Sequence, residues 1–262
     1  MYYDRDFGVV VLEKSWVPAP RYLMRRARLL SWMKAEKPGR ILEIGPGSGA
    51  LLKDFARAGW ECVGLDTSSD ALALADYIRD RDQRIELCSD QRRLAGQTFD
   101  YVIACEVLEH IEDDSSAFEE WASFLKPRGG LILSVPAHQK RWDATDEWAG
   151  HFRRYENEDL VRIAGENGML VEKLECYGFP LALITTALRA RRISNDSRQG
   201  PLHESMDSKT AHSGISRSFE SRYFGLQQSL PGRISIKVFI FLQRLFLKTQ
   251  LGNGYIMLAR KP

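Results

Sequence analysis

The stretch "ILEIGPGSGALL", residues 41–52, decides how this sequence is read. An apolar run broken by one acid, Glu43, leads into Gly45, Gly47 and Gly49, and an apolar-periodic segment follows. A glycine inside a helix or strand costs roughly 0.5–1 kcal/mol, so three together mark backbone that bends sharply or lets a ligand approach closely. A turn from a strand into a helix is such a place, because free N–H groups and the positive end of the helix dipole face outward there.

Outward from that turn, short β-rich runs alternate with helical patterns. Strands are predicted at 40–45, 61–66, 84–89, 100–105 and 131–136, with helices near 49–58, 69–81 and 114–126. A further helix fits 156–168, a sixth strand 169–178 and a last strand 255–260. This alternation predicts an α/β, Rossmann-like doubly wound sheet that is mostly parallel. The expected organisation is an N-terminal helical extension over 1–38, a core over 39–180, a helical and loop insertion over 181–253 and a closing core strand over 254–262. Within the insertion, residues 195–214 are polar and Ser-rich and read as a mobile loop that leaves His203 and His212 solvated.

The bulk numbers set limits. The 262 residues suffice for one large domain, and a formal charge of +2 gives no general argument for nucleic acid. Cys62, Cys88, Cys105 and Cys176 are scattered, without a zinc-type pair, and read as reduced core thiols. The N-terminus lacks a basic segment followed by a long apolar run, and no stretch reaches the roughly 18 apolar residues of a spanning helix, so cytoplasm is the expected compartment.

In an open parallel sheet, ligands bind beyond the carboxyl ends of the strands. The second strand ends at Asp66, where a carboxylate can take both hydroxyls of a ribose, and the third leads into Asp90, placed for an adenine amino group. Gly45, Gly47 and Ala50 also satisfy the dinucleotide fingerprint G-x-G-x-x-G/A, which alone is weak. Glu43 would repel a pyrophosphate but suits a cation, and no second glycine-rich turn follows for a second nucleotide. A ligand with adenosine, a positive centre and no phosphate fits better than NAD.

With these residues in place, "LEIGPGSG" (42–49), "GLD" (64–66), "CSD" (88–90), "FDYVIACEVLEHIED" (99–113) and "LKPRGGLILSVP" (125–136) together resemble the class I S-adenosylmethionine-dependent methyltransferases. The resemblance spans about residues 38–180 and leans toward the ubiquinone-biosynthesis O-methyltransferases. It implies a seven-stranded sheet with an antiparallel last strand and S-adenosylmethionine as cofactor. It also implies the cofactor contacts: the turn at Gly45, Gly47 and Gly49 against the methionine part, Glu43 on its ammonium, Asp66 on the ribose, Asp90 on the adenine, and backbone around Cys105 on the amino-acid moiety.

Methyl transfer needs proximity, orientation and, for an oxygen acceptor, a base. Glu106, Glu109 and His110 stand at i, i+3 and i+4, a spacing that puts them on one side of a helical turn. Three readings stay open: a structural element, His110 as general base, or a divalent-metal site like the one the resemblance implies. Downstream, "GHFRRY" (150–155) offers His151 as a substrate contact ahead of His138, with Arg153 and Arg154 either holding an anion or pairing with neighbouring acids.

The apolar, basic run 233–250 reads as a lid, a homodimer helix or an interfacial helix on an anionic membrane, the last supported by Arg21, Arg25, Arg26 and Arg28. The expected function is methylation of an oxygen on a small or lipid-linked acceptor. RNA 2′-O-methylation, a non-catalytic S-adenosylmethionine-binding partner and an NAD-dependent oxidoreductase are the alternatives; the acidic surroundings of the predicted site argue against nucleic acid as partner.

Overall fold

The computed structural model describes residues 1–197 and 217–262, so residues 198–216, with His203 and His212 and most of the expected loop, lie outside the described residues. Two short strands, β1 (Tyr2–Asp4) and β2 (Gly8–Val10), pair as an antiparallel hairpin ahead of helix α1 (Pro20–Met33). The N-terminal segment expected to be helical is therefore part hairpin. Its aromatic and β-branched residues in "YYDRDFGVVV" favour strands, and Gly8, where the chain leaves the turn, takes a positive φ of 78°.

The central sheet is built from β3 (Arg40–Ile44), β4 (Glu61–Leu65), β5 (Ile85–Cys88), β6 (Phe99–Cys105), β7 (Leu125–Pro136), β8 (Leu170–Tyr177) and β9 (Gly254–Arg260). Their spatial order is β5-β4-β3-β6-β7-β9-β8, with β9 antiparallel to both its neighbours. This is the mostly parallel seven-stranded sheet expected. The order reverses between β3 and β4 on one side and β6 on the other, so a ligand crevice opens where the glycine turn lies.

Alternate residues of each strand feed opposite faces. Leu42, Val102, Leu133 and Met257 join one buried cluster, and Ile41, Ile103, Ile132 and Ile256 the other. Both faces are covered, which is why these strands read as nearly continuous apolar runs. The connecting helices start where local chemistry lets them. Ser68 caps α3 (Ser69–Arg79) by accepting from the Ala71 N–H, and Asp113 caps α4 (Asp114–Ser123) through the Ser116 N–H. Helix α2 (Ala50–Arg57) follows the glycine turn. Beyond β7 come α5 (Ala144–Ala149), α6 (Asn157–Glu166) and α7 (Leu181–Ser197), then α8 (Ser218–Gln228) and α9 (Leu230–Phe246). One boundary differs from expectation: "KPRGG" does not merely end α4 but lies inside β7, whose pairing with β6 shifts register after Phe99 and whose Arg128 takes a φ of 62°. All four cysteines are free and buried. Among the described residues, no helix is long and apolar enough to cross a membrane.

Candidate active site

At the end of β3 the chain turns through Gly45 (φ 62°), Gly47 (φ 53°) and Gly49 (φ 72°) into α2. A side chain at Gly45 would put Cβ 2.7 Å from the Val107 Cγ2, and one at Gly49 would put it 2.9 Å from the Ala75 Cβ, so these two positions favour glycine on steric as well as conformational grounds. Asp66, just past β4, accepts from the Gly47 N–H at 3.1 Å and the Ser68 N–H at 2.9 Å. It thereby joins the turn to the start of α3. Burial raises its pKa, against the pull of those backbone donors.

A cavity of about 210 Å³ opens beside the turn, lined by Glu43, Gly45, Gly47, Cys105, Glu106 and His110 among others. Glu43 is 3% exposed and its Oε2 has no hydrogen-bond partner. Burial pushes its pKa up to about 8, although Arg25 pulls the other way. Cys105 ends β6 at the cavity wall, and burial pushes its thiol up to about 12, which favours the protonated form at neutral pH.

From the opposite wall, α1 lowers Arg21 and Arg25 into the same cavity. At i and i+4 they share a helix face, and they form ion pairs with Glu106 at 2.7 and 3.2 Å. Glu106 also accepts from the hydroxyls of Ser134 (2.9 Å) and Tyr177 (3.2 Å). Burial would raise its pKa, but the two guanidinium groups overcome that and hold it below the usual range. Nε of both arginines lacks a hydrogen-bond partner.

The triplet Glu106, Glu109 and His110 does not share one side of a helical turn. Glu106 sits in the left-handed region (φ 60°), and the short 3-10 helix begins only at Leu108. Glu106 faces the arginines, while Glu109 and His110 meet His151 from the segment after α5. Among the described residues, one ligand atom from each of Glu109, His110 and His151 lies within 4.8 Å of the others. The imidazole of His110 packs edge-on against that of His151, with centroids 4.7 Å apart. Glu109 is fully buried, neither carboxyl oxygen has a hydrogen-bond partner, and burial followed by Glu106 raises its pKa well above normal. His110 is pushed down to about 4 by burial and by His151, so it is neutral at pH 7.

His151 is oriented by Asp146, whose Oδ1 lies 2.8 Å from its Nδ1, while its Nε2 faces the Glu109 carboxyl at 3.9 Å. Asp146 is 1% exposed and accepts both Nε and Nη2 of Arg154, at 2.9 and 2.6 Å. Burial opposes its ionisation, but the His151 and Arg154 hydrogen bonds prevail and hold its pKa at about 2. An ionised acceptor at Nδ1 favours a hydrogen on that nitrogen.

The other expected site residues lie elsewhere. Asp90 caps a 3-10 turn and is chelated by the exposed Arg92, with Nη2 to Oδ2 at 2.7 Å, so it offers adenine no free carboxylate in this arrangement. His138 pairs with Glu156 at 3.1 Å, outside the cavity. Arg153 and Arg154 pair with Asp114 and Asp146, the acid-pairing alternative for "GHFRRY". Sequence reading missed the inward face of α1 and the role of Asp146; the four-residue spacing of Arg21 and Arg25 was the available signal for the first.

Comparison with known proteins gives three findings. The sequence profile of a family described as "Methyltransferase domain" matches residues 18–174. Curated relatives include the ubiquinone biosynthesis O-methyltransferases of Rhodopseudomonas palustris, 32% identical over 123 residues (45% of this chain, 46% of the relative), and Alkalilimnicola ehrlichii, 37% identical over 102 residues (37% and 41%). The chain spans about half the length of these relatives. Among solved structures, the [4+2]-cyclase SpnF superimposes with a TM-score of 0.56 at 19% identity, covering 98% of this chain and 86% of that one. Phosphoethanolamine N-methyltransferase 2 of Haemonchus contortus, solved with S-adenosylmethionine, gives 0.54 at 19% identity, covering 91% of this chain and 52% of that one. At such identities the structural likeness speaks for the fold alone.

Proposed function

Since this chain belongs to the methyltransferase-domain family, matched over residues 18–174, we propose that its cavity binds S-adenosylmethionine and directs the methyl group to an oxygen of a small or lipid-linked acceptor. The observation that carries this reading is the buried, unpartnered Oε2 of Glu43 beside the glycine turn. An α-ammonium would supply the partner that this oxygen lacks, and Arg21 and Arg25, which line the same cavity, would hold the α-carboxylate of such a ligand. A pyrophosphate in that position would place its charges against Glu43 instead. Asp66 keeps carboxylate capacity for ribose hydroxyls beyond its two backbone donors, and the adenine contact of Asp90 requires Arg92 to move aside. The similarity to ubiquinone biosynthesis O-methyltransferases favours an oxygen acceptor.

The ligand supplies a methyl group on a positively charged sulfur, ready for in-line displacement. The protein supplies position and a proton acceptor. His151 Nε2 takes the hydroxyl proton of the acceptor while its Nδ1–H goes on donating to Asp146, whose charge stabilises the imidazolium. A base of this kind contributes roughly 10²–10⁴-fold to rate.

A second reading rests on Glu109, His110 and His151. Two imidazoles and a carboxyl with both oxygens unpartnered fit a divalent cation, and the nitrogen-rich set suits zinc, manganese or iron better than magnesium. Such an ion would lower the pKa of an acceptor hydroxyl.

Isothermal titration with S-adenosylhomocysteine and with NAD tests the cofactor, followed by labelled-methyl transfer to a panel of phenols, lipid-linked hydroxyls and RNA. Micromolar binding of S-adenosylhomocysteine and methyl transfer to a hydroxyl are expected. Binding of NAD alone would overturn the reading, and binding without turnover on any acceptor would favour a non-catalytic partner.

A further inference from the structure

The outer face of α9 stays open among the described residues. Leu230, Ile234, Val238, Phe241 and Leu245 recur at three- or four-residue intervals, which aligns them as one stripe along the helix. Their exposures are 74, 54, 48, 60 and 65%. The opposite face is already used: Ile236 and Gln243 are buried, and Phe239 and Ile240 pack on the sheet's core cluster. Scattered exposed leucines are ordinary, but a continuous stripe of this length marks a contact surface.

Charge identifies the kind of surface. From Leu230 to Gln250 the chain has no acid. Lys237, Arg244 and Lys248 fall along one flank of the stripe and are exposed. Lys237 reaches Asp6 at 3.0 Å, whereas Arg244 and Lys248 form no ion pair among the described residues. A two-fold-related copy of the chain would bring these cations against their own counterparts with no carboxylate on the helix to answer them. An anionic lipid surface answers both features, because its interface accepts apolar side chains and its headgroups accept the cations. The N-terminal arginines add nothing here: Arg21 and Arg25 turn into the cavity, Arg26 pairs with Asp54 and Arg28 with Glu175.

We propose that α9 docks this protein on anionic membrane, with Leu230, Ile234, Val238, Phe241 and Leu245 in the headgroup–acyl boundary and Lys237, Arg244 and Lys248 among the phosphates. None of these side chains lines the cavity, so the surface stands independently of the methyltransferase reading.

The test sediments the full chain with vesicles of phosphatidylcholine alone or mixed with phosphatidylglycerol, and titrates S-adenosylhomocysteine in parallel. Binding to the mixed vesicles is expected to exceed binding to the neutral ones by roughly tenfold and to weaken as salt rises. The double substitution Phe241→Ser with Leu245→Ser abolishes it and leaves ligand affinity unchanged, which shows that the variant is folded. Vesicle binding without S-adenosylhomocysteine binding would keep the surface and sink the methyltransferase reading. Folded protein that ignores both vesicles, or binds both equally, overturns the proposal. So does a dimer mass in sedimentation equilibrium that the double substitution converts to monomer, since a second copy would then occupy the face.

Discussion

Single carboxyl groups with displaced pKa values decide how this site responds. Glu43, raised to about 8, favours the protonated form at pH 7 when no ligand is bound. A ligand ammonium favours its ionised form, so ligand binding must expel a proton. Titrations at pH 7 in buffers of different ionisation heat are expected to show release of close to one proton per S-adenosylhomocysteine, and Glu43→Gln should abolish that release along with most of the affinity. A wild-type titration without proton release would separate Glu43 from the ammonium. Glu109 allows a comparable discrimination. Its pKa is raised well above normal by burial and by Glu106, which favours the neutral acid, so Glu109→Gln should preserve folding and ligand affinity. If methyl transfer depends on a divalent ion, the same substitution removes a ligand and should cut activity by roughly 10–100-fold or more, with EDTA reproducing the loss in wild type. His151→Ala, by contrast, is expected to lower turnover roughly 10²–10⁴-fold with ligand affinity within a few-fold, and a variant retaining full turnover would dismiss it as the base.

Helix α1 ties the wall of the cavity to the core, because three of its arginines perform two different tasks within two turns. Arg21 and Arg25 face the cavity; Arg26 makes a two-pronged pair with Asp54 of α2, at 2.6 and 2.7 Å, with both side chains almost fully buried. Tyr3 completes the arrangement by donating to Asp54 at 2.7 Å, which holds the N-terminal hairpin against α2. Removing one member of a buried pair strands the other's charge, so Arg26→Leu should cost about 3–5 kcal/mol in urea unfolding. A loss under about 1 kcal/mol would mean that Asp54 is neutralised or solvated once its partner is gone. This helix also shows what sequence can and cannot convey. The glycine turn and the strand ends around it were legible because their cause is local: a left-handed backbone that needs glycine, and apolar runs of strand length. The arginines were visible as a basic cluster, but their destinations depend on which neighbours the fold brings near, so they lend the membrane reading of 233–250 no support. The spacing of Glu106, Glu109 and His110 misled for a related reason. Periodicity presumes continuous helix, and the left-handed Glu106 breaks it; the partner that replaces it, His151, is remote in sequence and carried no local mark of the pairing.

Taken over the whole molecule, the displaced groups pull stability in opposite directions and set its pH optimum. His110 binds its proton with a pKa of about 4 when folded and near 6.5 when unfolded, so the unfolded chain holds more protons between those values and stability falls as pH drops from 6.5 toward 4. Asp146, held at about 2, adds a loss of the same sign that begins below the ordinary aspartate range. Glu43 and Glu109 act oppositely. Their folded pKa values lie above the usual 4.5, so the folded chain holds the extra protons and stability falls as pH rises above that value, for Glu43 through about 8. Between about pH 4.5 and 6.5 the two trends oppose one another, so the ligand-free protein should lose stability most clearly above about pH 6.5, where only the glutamates act, and below about pH 4.5, where Asp146 joins His110. Bound S-adenosylhomocysteine relieves the alkaline penalty by pairing with ionised Glu43, so the ligand's increment in Tm should grow between pH 6 and pH 8. Glu43→Gln should remove both effects, stabilising the ligand-free protein at pH 8 by on the order of 2–4 kcal/mol while erasing the growth of the ligand increment. Thermal unfolding of the two proteins across that range, with and without ligand, checks all of this together. An increment that stays flat with pH in wild type would mean that the ligand's charge is met elsewhere, and the buried carboxyl at the end of β3 would then be a cost the fold carries without using it.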